Sequence, residues 1–154
     1  MQFQRSFAGL ILALFVSVTT THAAVDIIKS LNIKGGFVVH LGCGDGKLTL
    51  ALRPNSRFLV HGLDANPANV AKARAAVKAT GVYGAVSIDR LAGNSLPYID
   101  NMVNLLVAED LKGVPMAEVM RVLAPKGIAY LKRGDQWKTT VKPRPKDIDE
   151  WTHY

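Results

Sequence analysis

The chain has 154 residues, 49% apolar and 20% charged, with 19 Lys and Arg against 12 Asp and Glu for a formal net charge of +7. That length suits one domain with tails, and the balance is that of a globular chain, which excludes a disordered one. Cys43 is the one cysteine, which excludes an intramolecular disulfide, and His22, His40, His61 and His153 fall at no metal-ligand spacing, so no metal site is expected.

Residues 1–23 read as a secretory signal peptide. Arg5 gives a positive start, Phe7 to Val18 is an uncharged, mostly apolar run, and Thr21-His22-Ala23 offers a small-x-small cleavage site. A membrane-spanning helix needs about 20 apolar residues, so no stable span is expected. The mature chain is therefore expected outside the cytoplasm, periplasmic or extracellular, and no cysteine near the cleavage site supports a lipid anchor.

Residues 24–134 are expected to form the domain. Val25–Leu31 reads as a short amphipathic helix broken by Lys34-Gly35-Gly36. Phe37–Leu41 is a run of strand formers that ends on the glycine loop Gly42-Cys43-Gly44-Asp45-Gly46, and a helix follows from Lys47 until Pro54 halts it. Phe58–Leu63 is a second strand with Asp64 at its carboxyl end. Asn66-Pro67 is a cap and first-turn pair for a helix that Gly81 ends. Val86–Ile88 is a weaker third strand and Met102–Ala108 a fourth. Pro115 opens the next helix, and Pro125-Lys126-Gly127 turns it into a fifth strand, Ile128–Leu131. Strands alternating with helices predict an α/β, doubly wound, mostly parallel sheet. With five strands in view, the sheet reads as incomplete at its C-terminal side, with an exposed edge.

From Lys132 the composition turns basic, and residues 135–154 read as a basic linker or the start of a further domain. The stretch lacks interleaved aromatics and a reading helix, so no nucleic-acid partner is expected.

The glycine loop carries the functional signal. Glycines let the backbone turn sharply and approach a ligand without Cβ contacts, and the amides at the following helix start are expected to be free to face it. Ligands of open parallel sheets bind beyond the carboxyl ends of the strands, where the strand order reverses. Asp64, 18 residues after Gly46, ends the neighbouring strand, where a carboxylate can accept both hydroxyls of a ribose. A dinucleotide fingerprint G-x-G-x-x-G would place glycine at position 47, which is Lys47.

The pattern G-x-G-x-G, together with Asp64, Leu96-Pro97 and the run Glu118-Val119-Met120-Arg121-Val122-Leu123-Ala124-Pro125-Lys126-Gly127, resembles the class I S-adenosylmethionine (SAM)-dependent methyltransferase family over roughly 37–131. The resemblance implies a Rossmann-like fold, SAM as cofactor and methyl transfer to an unspecified acceptor. It also implies that Gly42, Cys43, Gly44 and Gly46 pass under the methionine part, that Asp64 holds the ribose, that Ala65 lies against the adenine, and that Asn94 reaches its edge. Glu109 and Asp110 would face the substrate as candidate catalytic residues. Three positions depart from the family pattern: His40 and Asn94 stand where a carboxylate is usual, and Asn104 stands where one is frequent. His40 occupies a cofactor-binding position, yet its residue type also reads as a core histidine satisfied by backbone. These departures leave open an alternative, a non-catalytic Rossmann-like binding module. The ending Asp147–Tyr154 resembles the junction in large exported bacterial proteins where a methyltransferase-like domain precedes a quinoprotein-type β-propeller, which implies a downstream propeller as a partner domain.

Overall fold

The computed structural model describes residues 26–145; the expected signal peptide and the aromatic ending lie outside the described residues. Residues 26–30 are helical. Strand β1 (Gly36–Leu41) leads to α1 (Lys47–Ala51), β2 (Phe58–Asp64), α2 (Pro67–Ala79), β3 (Val86–Arg90), β4 (Val103–Ala108), α3 (Met116–Val122), β5 (Leu123–Arg133) and β6 (Gln136–Val141). They form a six-stranded sheet in the order β3-β2-β1-β4-β5-β6, parallel except for β6, which is antiparallel to β5. The α/β, mostly parallel architecture expected from the sequence is the one found.

The sheet is covered on both faces. Val38, Val60, Leu105 and Val107 face α2 (Val70, Ala73, Val77) and the segment around Ile28. Val39, Leu63, Leu106 and Ala129 face Val119 and Val122 of α3 and the loop residues Leu91, Leu96 and Tyr98. Strands buried on both sides need near-continuous apolar runs, which is why β1 and β4 were conspicuous in the sequence. Helix α2 starts as its sequence dictates, with the Asn66 side chain accepting from the Ala68 amide at 2.9 Å and Pro67 in the first turn.

Three features differ from the sequence reading. First, no helix joins β3 to β4: residues 91–102 cross as a loop held to α3. Glu118 accepts the Leu96 amide at 2.8 Å and the Ser95 hydroxyl at 3.0 Å, while Arg121 donates to Glu118 at 2.7 Å and to the Tyr98 carbonyl at 2.9 Å. The Glu-x-x-Arg part of the sequence motif is thus a brace for this crossing. Second, β5 begins at Leu123 and runs through Pro125-Lys126-Gly127, with a register shift against β4 between Val103 and Leu105. Proline donates no amide, and the shift is a bulge that absorbs it. Third, Gln136–Val141, expected as linker, is a strand that pairs with β5 from Ile128↔Val141 to Arg133↔Gln136. The sheet edge expected at β5 is therefore covered. Gly134 lies first in the two-residue turn at φ +61, as a type II′ hairpin requires.

Candidate functional site

The strand order places β1 beside both β2 and β4, and the chain winds outward from that pair in opposite directions. A crevice opens at the carboxyl ends of such strands, and the glycine loop sits there. Gly42, Gly44 and Gly46 have φ of +80, +54 and +81, values that favour glycine. A Cβ at Gly44 would meet nothing within 4 Å, and at Gly42 only the Lys112 Cε at 3.7 Å. Gly46 is different: a Cβ there would stand 3.0 Å from the Ala73 Cα, so this glycine serves the packing of the loop on α2.

The loop amides are less available than the sequence suggested. Those of Gly42 and Cys43 donate to the Leu63 carbonyl at 2.7 and 3.1 Å, that of Gly46 to the Cys43 carbonyl at 2.9 Å, and that of Lys47 to the Asp45 carboxylate at 3.1 Å. What the loop offers at Gly42 and Gly44 is mainly a surface without side chains.

Asp64 closes the loop from the next strand. It is 5% exposed, and its Oδ2 accepts the Gly44 amide at 3.0 Å and the Asn69 amide side chain at 3.1 Å. Its Oδ1 accepts the Asn66 amide at 2.9 Å. Burial pushes this carboxyl up, but the amides of Asn66 and Gly44, the Asn69 side chain and the nearby Lys112 charge outweigh it and hold it below its ordinary value. A carboxylate has about four acceptor positions, so three donors leave roughly one, on Oδ1, for a ligand hydroxyl rather than a pair.

The cleft over the loop has a volume of about 560 Å3 and gathers His40, Gly42, Cys43 and Gly44 with Glu109 and Asp110 from the end of β4. Lys112 and Lys132 also line it, and nothing in the sequence pattern singled them out. Lys112 pairs with Asp110 at 3.1 Å and Lys132 with Glu109 at 3.7 Å. Ala65 and Asn94 are exposed and stand outside the residues that line this cleft, and so do Gly46 and Asp64, which touches it only through its bond to the Gly44 amide.

His40 is 3% exposed, and its partner is a side chain, not backbone: Nδ1 lies 2.8 Å from the Thr49 hydroxyl. Burial lowers its pKa to about 4, against the raising effect of Asp64, so it is neutral at pH 7. Cys43 is buried, and burial followed by the Asp64 charge pushes its thiol up to about 11, which keeps it protonated and inert as a nucleophile. Asn104 stands at the other end of the sheet, where its side chain accepts the Phe37 amide at 2.8 Å beside Gly36. Its difference from the family pattern therefore falls away from the cleft. His61 bridges Tyr98 at 2.8 Å and Asp89 at 3.1 Å on the face opposite α2. Among the described residues no group of three His, Cys, Asp or Glu could hold a metal ion, and no helix is long and apolar enough to cross a membrane.

Comparison with known proteins places this geometry. No curated protein matches the chain in sequence. A Methanococcus maripaludis protein, named as a candidate S-adenosyl-L-methionine-dependent methyltransferase, shares the fold at TM-score 0.65 and 22% identity, over 73% of this chain and 54% of that one. The YcgJ protein of Bacillus subtilis matches at TM-score 0.61 and 26% identity, over 71% and 49%. The [4+2]-cyclase SpnF matches at TM-score 0.64 and 24% identity, over 72% and 43%. This chain spans about half the length of the structures it matches. Residues 38–127, the stretch from β1 into β5 that holds the glycine loop and Asp64, match the model of the methyltransferase domain, and since that is more than half of the chain, the chain belongs to the methyltransferase domain family.

Proposed function

We propose that the cleft over Gly42–Gly46 binds SAM and that the protein is a class I methyltransferase. The observation that carries this reading is the joint between loop and strand: Asp64 is aimed at the glycine turn and bonded to the Gly44 amide at 3.0 Å. The residues fit the group. Gly42 and Gly44 leave room for a ligand to lie against backbone. Asp64 retains an acceptor position for one ribose hydroxyl, and the volume is within the ~300–1,000 Å3 usual for small-molecule sites.

Bound SAM supplies an electrophilic methyl group on a sulfonium, so little chemistry is asked of the protein, and holding the acceptor in line provides most of the rate. The glycine surface and Asp64 hold the adenosyl side. Glu109 and Asp110, exposed at the end of β4 and lining the same cleft, orient the acceptor. His40, tied to Thr49 and neutral, replaces a charged partner with a polar wall.

Titration calorimetry of the chain with SAM and S-adenosylhomocysteine tests this. Binding at about 10–100 μM is expected, and Asp64→Ala should weaken it at least about tenfold, or ~1.4 kcal/mol. No heat up to millimolar ligand would refute SAM binding. The second reading, a non-catalytic module, is favoured by the two lysines in the cleft and by the three donors already on Asp64. A shared fold does not by itself imply a shared reaction. Binding without methyl transfer to any acceptor would support that reading. Export, and a β-propeller downstream, are proposed on the order of residues 1–23 and on the 147–154 ending alone.

A further inference from the structure

A second hollow, of about 380 Å3, lies beside the glycine-loop cleft, and Leu48 and Glu109 belong to the walls of both. Ile27 and Leu48 give it an apolar lining. Tyr130 and Trp137 also line it, their rings stacked with centroids 4.8 Å apart and within 3° of parallel. The carboxylates of Asp26 and Glu109 stand in the same hollow, and among the described residues neither lysine nor arginine lines it. Lys132, which lines the neighbouring cleft, reaches Glu109 only at 3.7 Å, across side chains that are 37% and 64% exposed.

Those walls select by chemistry. Aromatic rings attract a cation through their negative faces, and two carboxylates, of which Glu109 has only the long, exposed contact with Lys132, repel an anion and favour an ammonium. Ile27, Leu48 and the two rings favour an apolar body. The volume is that of a small-molecule site rather than of a chain-length partner. The exposed pair of Lys132 with Glu109 is weak enough for a ligand ammonium to replace it.

We infer that this hollow is the acceptor site and that it takes a small amine with an apolar or aromatic body. The inference rests on the SAM reading of the adjoining cleft, because the shared wall at Leu48 and Glu109 is what brings the two ligands together. In the transfer, the ammonium first loses a proton to solvent through the open mouth. The nitrogen lone pair then forms the N–C bond as the C–S bond breaks, and that electron pair stays on sulfur as a neutral thioether.

The test uses the whole chain and three probes: 2-phenylethylamine, 3-phenylpropionate as its anionic counterpart, and S-adenosylhomocysteine, each followed by calorimetry. The amine should bind at least about tenfold tighter than the carboxylate. Asp26→Asn, at an exposed residue whose change leaves the core intact, and Trp137→Leu should each weaken the amine about three- to tenfold while leaving S-adenosylhomocysteine affinity unchanged. Equal binding of amine and carboxylate, or an amine affinity indifferent to both substitutions, would overturn the inference while the SAM reading stands. Amine binding as described with no S-adenosylhomocysteine binding would remove the SAM reading, and with it the hollow's role as an acceptor site.

Discussion

At the scale of single residues, the end of β1 and the glycine turn are held by two buried polar groups with opposite tendencies. Asp64 stays charged because three protein donors offset its burial, whereas His40 stays neutral because one hydroxyl does not. The difference has a consequence for pH. An unfolded histidine titrates near its ordinary 6.5 and the folded His40 near 4, so the unfolded chain binds more protons between those values. Stability is then full above about pH 6.5 and falls as the pH drops towards 4, by at most about 3 kcal/mol in total. His61, also lowered by burial against the pull of Asp89, adds in the same direction. Denaturant unfolding at pH 7 and pH 5 should show the loss, and His40→Gln should shrink it by the larger part. A His40→Gln variant with an unchanged pH slope would mean that the ring is not held neutral. Gly42, Gly44 and Asp64 were legible in the sequence because what they do is local: a turn needs positive φ, and the end of a strand has a fixed place. His40 was legible as a core histidine but not in its partner, because Thr49 reaches it from α1. Lys112 and Lys132 were not, since they reach the cleft from the loop after β4 and from the end of β5, and only the folded sheet brings those ends together.

At the scale of elements, the least expected pieces lie on the C-terminal side of the sheet. The Pro125-Lys126-Gly127 run reads as a turn, yet it is the bulged start of β5, with Lys126 at φ +64 and its amide donating to the Lys142 carbonyl at 2.9 Å. Gly127 has no room for a side chain: a Cβ would sit 2.7 Å from the Ala124 carbonyl oxygen and 2.8 Å from that of Val103. Both obstacles are backbone, which cannot swing aside as a side chain does. Gly127→Ala should therefore destabilise the fold by about 1–3 kcal/mol, read as a lowered denaturant midpoint with an unchanged slope. Gly134→Ala, at φ +61 but with open space around it, should cost about 1 kcal/mol through backbone strain alone. The hairpin that Gly134 turns was hidden by composition. Its lysines suggested a linker, although Gly134-Asp135 between Ile-Ala-Tyr-Leu and Trp-Lys-Thr-Thr-Val is a two-residue hairpin signal. Charge on an edge strand is ordinary protection and says little about whether the strand exists.

At the scale of the whole molecule, a six-stranded open sheet has two edges, and the chain treats them differently. At the β3 edge, Arg74 from α2 donates through Nε to the Ile88 carbonyl at 2.8 Å and pairs with Asp89 at 2.5 Å, so a side chain occupies an acceptor that another strand would seek. At the other end β6 is itself the cover. Most of its residues are exposed, so it buries little apolar surface, and its main effect is to satisfy the ladder of β5. Ending the chain after Arg133 should therefore lower the unfolding midpoint modestly but expose β5, with Ile128, Tyr130 and Leu131, as an unpaired apolar edge beside the cleft. Self-association through that edge is the expected result, seen as a concentration-dependent increase in size by light scattering. Trp137 would go with the strand, so the truncated chain should also lose its preference for amines. A monomeric truncated chain that keeps that preference would show that β6 neither seals the sheet nor shapes the hollow, and that the six-stranded arrangement is dispensable for both.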